Sequence, residues 1–237
     1  MRNFSTSLGT ERRTIRSCQR LRASSFRLCG CRQAWQTFVV RRNRTTVCKT
    51  SHVPEATAWP LRLAREADVP ALEVLIPLSV RALQARYYSE EQMEAALGRI
   101  FGVDRQLIRD GTYFVVEQDG GILGCGGWSR RRSLYGGDSG RESEDGMLDP
   151  QRDAARMRAF FVHPAWARQG IGRSIMAVCE RAIFESGFRT VDIVATLAGE
   201  PLYASFGYAV AERYDIEMVG GLKLPVVGMT KSIEPRT

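Results

Sequence analysis

The chain has 237 residues, 44% of them hydrophobic, which is enough for one domain with a substantial core. No apolar run approaches the roughly 20 residues of a membrane span, so the sequence predicts no membrane partner. The formal net charge is +8, and its distribution decides whether it indicates nucleic-acid binding.

The positive charge is concentrated in residues 1–52, which hold twelve basic side chains and one acid, Glu11. The rest of the chain holds 22 basic and 25 acidic side chains, a net charge of −3. Because the excess belongs to this leader, we predict no nucleic-acid partner for the domain. A nucleic-acid-binding module remains an alternative that rests on the leader alone.

The leader is rich in Arg and Ser and has no apolar h-region, so it is not a secretory signal. We expect residues 1–55 to be disordered, because they cannot bury enough apolar surface to offset chain entropy. They are either an extension from an upstream translation start or a transit-like segment. The first interpretation predicts a cytoplasmic protein and the second an organellar one.

The cysteines show the same division, since four of the six lie in the leader. One residue separates Cys29 from Cys31, whereas zinc sites use pairs separated by roughly two to four residues, so we predict no metal. Cys125 and Cys179 stand alone in apolar surroundings. This is typical of packed thiols in a reducing compartment and not of a disulfide framework.

A domain is predicted over residues 60–234, and its first element is a short strand at Leu61. Asp68 is a candidate cap for a helix whose apolar residues recur at helical spacing over residues 72–83. Pro77 lies inside that pattern and is expected to kink or split the helix, because it lacks an N–H group and crowds the preceding turn.

A second helix and a hairpin follow. Ser89 begins a capping box, Ser-Glu-Glu-Gln, which opens a helix predicted to end near Phe101. The period then changes to that of strands over residues 112–118 and 122–129, with Asp-Gly-Gly between them as a tight turn.

The second half of the domain alternates strands and helices after a long loop at residues 130–150. The predicted elements are a strand at 156–163, a helix at 172–186, a strand at 190–196, a short helix at 201–206 and strands at 208–218 and 224–231. This order predicts an α/β fold with a mixed central sheet and helices on both faces.

The segment that carries chemistry follows the strand that ends at His163. Pro164 stops that strand, and a short loop brings Gly170 and Gly172 to the start of an amphipathic helix. A helix start has unpaired N–H groups and a partial positive charge, and glycines let a phosphate approach them closely. The pattern therefore predicts a cradle for a pyrophosphate.

Two other pyrophosphate-binding motifs do not fit this segment. The dinucleotide fingerprint needs a third glycine, but Ser174 and Ile175 follow Gly172. A P-loop needs Gly-Lys-Ser/Thr at the helix start, and no lysine is present there. Both motifs also normally follow an early strand, whereas this one lies well into the domain.

Val162-His163-Pro164 and Gly170-Ile171-Gly172 resemble the acetyl-CoA motif of the GNAT superfamily of N-acetyltransferases. That motif is usually written Arg/Gln-x-x-Gly-x-Gly/Ala after a strand ending in Val-x-Pro. The departure is Ala167 at the first motif position, with Arg168 and Gln169 directly after it. The resemblance extends from about Leu61 to Ile233 and includes the element order.

The resemblance implies acetyl-CoA as co-substrate and assigns residues to it. The backbone of Phe160, Phe161 and Val162 would pair with the pantetheine arm, and Thr196 would line the same cleft. Tyr203 would protonate the departing CoA thiolate, and Val162 N–H would stabilise the oxyanion. The pyrophosphate would be held by the N–H groups of Arg168, Gln169, Gly170, Ile171, Gly172 and Arg173.

Each assignment has a structural alternative. Phe160, Phe161 and Tyr203 are also suited to core packing, and Arg168 to a solvated surface. Tyr88 and Trp128 are candidates for the acceptor pocket, although ordinary burial accounts for them as well. Three residues are candidates for the general base. His163 suits a strand end better than a base. Glu117 and Asp192 are carboxylates on strands beside the cleft, but alternation alone does not decide which face they take.

The predicted function is direct acetyl transfer from acetyl-CoA to a primary amine of an unidentified small-molecule or protein acceptor. An amine has a pKa near ~10.4 and must lose a proton before it attacks. A non-catalytic acyl-CoA-binding or sensing domain is the alternative. The sequence leaves open which acceptor is used and whether the protein is a homodimer.

Overall fold

The computed structural model describes residues 59–137 and 146–234, which form a seven-stranded sheet with helices on both faces. The predictions for residues 1–55 lie outside the described residues. The strands are β1 (Leu61–Leu63), β2 (Tyr113–Gln118), β3 (Gly121–Ser129), β4 (Ala155–Val162), β5 (Thr190–Thr196), β6 (Ala209–Glu217) and β7 (Lys223–Ser232). The helices are α1 (Val69–Leu83), α2 (Glu90–Ala96), α3 (Arg105–Arg109), α4 (Ile171–Glu185) and α5 (Glu200–Ser205).

The strand order across the sheet is β1-β2-β3-β4-β5-β7-β6. All neighbours are antiparallel except β4 and β5, which are parallel. The predicted mixed sheet is therefore confirmed. In the described part of the chain, no helix combines the length and apolar character that a membrane crossing requires.

Alternation along the strands divides the apolar side chains between two cores. One core lies against α4 and α5 and includes Met157, Ile175 and Ile193. The other lies under α1, α2 and α3 and includes Leu72 and Val226. We call the sheet surface under the second core the α1 face.

Helix α1 differs from its prediction in two respects. It is continuous through Pro77, because Leu72, Ile76 and neighbouring residues hold one face of it in the core. Asp68 makes no side-chain cap at its start; its carboxylate accepts hydrogen bonds from the Arg62 guanidinium, at 2.7 and 2.8 Å, and from Arg65 N–H at 2.7 Å.

The capping box at Ser89 is present, with Ser89 Oγ accepting from Gln92 N–H at 3.2 Å and Gln92 Oε1 from Ser89 N–H at 2.9 Å. The predicted end near Phe101 was wrong. Helix α2 ends at Ala96, because Leu97 is extended and Gly98 takes a left-handed φ of 79°. Helix α3, capped by Asp104 Oδ1 accepting from Leu107 N–H at 3.2 Å, was not predicted.

The two described ends of the predicted loop at residues 130–150 pair with each other. Arg132 N–H donates to Gly146 O at 3.0 Å, and Leu148 N–H donates to Arg130 O at 2.8 Å. The first part of this loop also bonds to β4, since the Arg158 guanidinium donates to Ser133 O at 2.9 Å and to Gly136 O at 2.7 Å.

The same guanidinium forms a buried ion pair with Asp104, with Nη2 and Oδ2 2.7 Å apart and the side chains 3% and 0% exposed. Replacing Arg158 by Ala leaves the Asp104 carboxylate buried without its partner, so we expect unfolding to become easier by about 3–5 kcal/mol. Urea denaturation measures this loss. Arg81→Ala is the control, because it removes only the exposed ion pair with Glu94 and should cause no resolvable change.

Candidate active site

The candidate site is the opening where β4 and β5 diverge. These parallel strands pair only at Ala155↔Val191, Arg156↔Asp192 and Met157↔Ile193. Beyond them Ala159 takes a φ of 57°, and the register of β4 against β3 shifts. This bulge turns the second half of β4 away from β5, so its backbone groups on that side lack a neighbouring strand.

The antiparallel ladder shows which backbone groups face the opening. His163 N–H donates to Leu123 O at 2.8 Å, so the N–H groups of His163 and Phe161 face β3. Those of Phe160 and Val162 therefore face the opening. Val162 N–H, the expected oxyanion donor, already donates to Ser79 Oγ of α1 at 3.2 Å.

The side chains of this segment alternate between the two cores. Phe161 is buried under the α1 face, edge-on to Phe101 with ring centroids 6.2 Å apart. Phe160 and Val162 are partly buried and pack against the other core. Their apolar side chains hold the strand, and only their backbone groups are available to a ligand in the opening.

The loop after β4 bends sharply as it leads into α4. Gly170 caps α4 in the left-handed conformation, with φ of 91°, and Arg168 also has a positive φ of 65°. The first hydrogen bond of the helix runs from Ser174 N–H to Gly170 O at 3.0 Å. The N–H groups of Ile171, Gly172 and Arg173 thus precede the intrahelical bonds, as at any helix start.

Two tryptophans support this loop from outside. Trp59 Nε1–H donates to Gln169 O at 3.0 Å, and its ring meets Trp166 edge-on at 5.9 Å. The side chains of Arg168 and Gln169 are exposed at the same turn. The backbone is therefore fixed while the positive charge of Arg168 stays accessible.

Helix α5 lies beside the start of α4. A Cβ atom on Gly172 would lie 3.1 Å from a methyl group of Leu202, so a glycine lets the two helices approach. The exposed Arg173 guanidinium lies over the Phe206 ring, 5.4 Å from its centroid. The two glycines thus have different structural roles, since Gly170 supplies the positive φ and Gly172 the close packing.

Tyr203 of α5 approaches the site from beneath the sheet. Its ring lies edge-on to Phe160 and to Tyr208, at 6.1 Å from each centroid. Burial, and secondly the proximity of Cys179, raises the pKa of its phenol well above the usual range. Tyr203 therefore stays protonated across the physiological pH range.

Thr196 ends β5 on the other side of the opening. Its Oγ1 accepts from Gly199 N–H at 3.2 Å, so the hydroxyl stabilises the turn that leads into α5. The structure thus brings together the backbone of Phe160, the turn at Thr196 and the Tyr203 ring.

Comparison with known proteins agrees with this geometry. A family model described as an acetyltransferase (GNAT) domain matches residues 109–210, which include β4, the glycine loop, α4 and α5. Residues 109–210 thus identify a GNAT acetyltransferase domain within the chain. It is accordingly an acyltransferase.

Solved structures show the same fold. A GCN5-related N-acetyltransferase from Rhodopseudomonas palustris is 20% identical with a TM-score of 0.56, over 75% of this chain and 98% of that one. The PaiA N-acetyltransferase from Thermoplasma acidophilum, in complex with coenzyme A, is 14% identical with a TM-score of 0.50, over 73% and 98%. YncA from Salmonella typhimurium, with its cofactor acetyl-CoA, is 17% identical with a TM-score of 0.50, over 76% and 96%. No curated protein sequence matches the chain.

The two carboxylates considered as bases, Glu117 and Asp192, are both engaged in ion pairs. Glu117 Oε2 lies 2.5 Å from Arg62 Nε, and Asp192 pairs with Arg156. His163 accepts the N–H of Ala165 through Nδ1 at 3.2 Å and thus stabilises the turn after β4. Neither carboxylate is therefore free to take a proton from the amine.

The remaining pocket candidates have structural roles. Trp128 is 2% exposed in the core against α4. The Tyr88 hydroxyl donates to Pro225 O at 2.8 Å and accepts from Leu197 N–H at 2.9 Å, which ties the end of β5 to β7. Cys125 and Cys179 are buried free thiols, and burial raises the pKa of Cys125 to about 12.

Sequence reasoning missed Trp59 and the bond from Val162 to Ser79. Trp59 gave no signal, because it precedes the first strand and its partner lies 110 residues away. Ser79 did give a signal in the sequence, because it is a polar residue on an otherwise apolar face of α1. In the described ranges, no group of three or more His, Cys, Asp and Glu side chains is placed to hold a metal ion.

Proposed function

We propose that this protein transfers an acetyl group from acetyl-CoA directly to a primary amine. The observation that carries the proposal is the left-handed Gly170, which starts α4 with N–H groups that precede the intrahelical bonds, a short loop after the diverged strand β4. Two of the structural neighbours contain coenzyme A or acetyl-CoA, which supports the same co-substrate.

The residues present fit acetyl-CoA along its length. The N–H groups of Ile171, Gly172 and Arg173, with the exposed Arg168 charge, would hold the pyrophosphate at the helix start. The backbone of Phe160 and neighbouring β4 residues would hydrogen-bond the pantetheine arm. Acetyl-CoA itself supplies an acyl group activated as a thioester.

The chain would then act on the reaction at two places. Because Val162 N–H is bound to Ser79, we assign the Phe160 N–H to the acyl carbonyl oxygen, where negative charge develops. The Tyr203 phenol, protonated and adjacent to Phe160, would donate its proton to the departing CoA sulfur. Neither role requires a covalent bond to the enzyme.

Release of the CoA thiol with a panel of primary amines, together with the mass of each product, tests this proposal. We expect thiol release that depends on both the amine and the enzyme, and a product heavier by one acetyl group. Tight acetyl-CoA binding without amine-dependent thiol release would instead support a non-catalytic acyl-CoA-binding domain.

A further inference from the structure

Glu212 of β6 lies on the α1 face of the sheet. It pairs with Gly228 of β7, and two residues later Tyr214 pairs with Val226, which is part of the core under α1. Tyr214 packs against that same core, so alternation places Glu212 on this face too. A register shift between Val210 and Glu212 marks a bulge at this point.

The glycine opposite Glu212 lets its side chain lie across the sheet. A Cβ atom on Gly228 would be 2.9 Å from Glu212 Cγ and 3.4 Å from Glu212 Oε1. The Glu212 side chain therefore occupies the space that a side chain at position 228 would fill. On its other side Gly228 pairs with Val194, close to where β5 separates from β4. Neighbouring strands lie about 4.8 Å apart, so a side chain directed over β7 covers much of the roughly 10 Å from β6 to β5.

Other carboxylates on this face are neutralised. Asp192 is paired with Arg156, and Asp104 with Arg158. Glu212, in contrast, has no ion pair or hydrogen bond of its side chain to another described residue. Glu212 is thus an exposed carboxylate with no partner among the described residues, and its side chain lies across β7, where a cation can bind.

Tyr214 lies two residues from Glu212 along β6, on the same face of the sheet. The pKa of Tyr214 is raised by burial first, and then by the proximity of Tyr135 and Glu212. Tyr135 is 38% exposed and lies in the loop segment that Arg158 holds through Ser133 O and Gly136 O. A carboxylate with tyrosine side chains nearby can combine ion pairing with cation–π attraction, and both favour an ammonium group.

We propose that Glu212, with Tyr214 on the same face of β6, binds the ammonium group of an acceptor that carries an aromatic or apolar group beside its amine. This inference rests on the proposed acetyl transfer and adds a substrate class to it. Because the pKa of such an amine is ~10.4, it enters in its charged form. The carboxylate then holds it on the α1 face next to the opening.

The test compares phenethylamine with 2-phenylethanol, which has the same shape without the charge. Calorimetry on the full chain saturated with CoA should show the amine binding roughly tenfold more tightly, as expected for a contact to a charged group. Glu212→Gln should abolish this preference. Gly228→Ala should reduce it, because the new methyl group displaces the Glu212 side chain.

Glu217→Gln is the matched control, since Glu217 lies on the same strand but its side chain points to the opposite face. It should retain the full preference for the amine. Equal binding of the two probes to the parent, or a preference that survives in Glu212→Gln, would overturn the inference.

The binding measurement does not depend on turnover, so two failures can be distinguished. A parent that prefers phenethylamine through Glu212, yet releases no CoA with any amine, would refute acetyl transfer and leave the ammonium site standing. A parent that acetylates amines, yet binds both probes equally, would refute the role of Glu212 alone.

Discussion

Replacement of both Gly170 and Gly172 by aspartate is expected to weaken acetyl-CoA binding by at least about 100-fold, or about 2.7 kcal/mol. Each substitution brings a negative charge to the helix start where the pyrophosphate is expected. The side chain at Gly170 also strains a φ of 91°, and the one at Gly172 meets Leu202. Calorimetric titration with acetyl-CoA measures the change.

A control separates loss of phosphate binding from backbone strain. Gly111 has a φ of 66° in the turn before β2, with nothing within 4 Å of a Cβ atom there, so Gly111→Asp introduces comparable strain away from the site. It should leave acetyl-CoA affinity unchanged. If the double variant does not fold, Arg168→Glu reverses an exposed charge at the same turn and should still weaken binding, by about tenfold.

Replacement of Tyr203 by phenylalanine is expected to lower kcat by about 10²–10⁴-fold with little change in the KM for acetyl-CoA. The ring contacts with Phe160 and Tyr208 are kept, and only the proton donor is lost. Steady-state rates of CoA thiol release measure the effect. Full activity of the variant would assign Tyr203 to core packing.

Tyr208→Phe is the matched control for this prediction. Tyr208 is buried in the same core, and burial raises its pKa as well, but it lies under the sheet after α5. Its replacement should leave kcat within about threefold, since it has no assigned contact with the reaction. A large loss in both variants would indicate altered packing around Phe160 and not a lost acid.

The elements predicted best are those specified by local chemistry. The hairpin follows from Asp119-Gly120-Gly121 between two strand patterns, and β5 has the predicted bounds at Thr190 and Thr196. Helix α4 begins within one residue of its prediction, because two glycines and an apolar stripe mark its start and its buried face. The order of these elements sufficed for the fold class.

The features that sequence did not reveal depend on contacts between distant residues. The divergence of β4 from β5 arises at a bulge at Ala159, and no residue type in that strand predicts a bulge there. Short α3 has too few residues for a helical period, and Gly98 ends α2 earlier than its apolar pattern suggests. In the sequence, Glu212 is indistinguishable from any other exposed strand residue, because its pairing with Gly228 is seen only in the structure.

The backbone N–H groups of Gly170 and Gly172 provide the most direct test of the central claim, that the start of α4 binds the pyrophosphate of acetyl-CoA. Titration of isotope-labelled protein with acetyl-CoA, followed by amide NMR, should shift these two glycine resonances more than those of Gly111, in the turn before β2, or Gly187, beyond the opposite end of α4. Saturating shifts of Gly170 and Gly172 are the predicted result. Saturable binding that leaves both resonances in place would contradict the account.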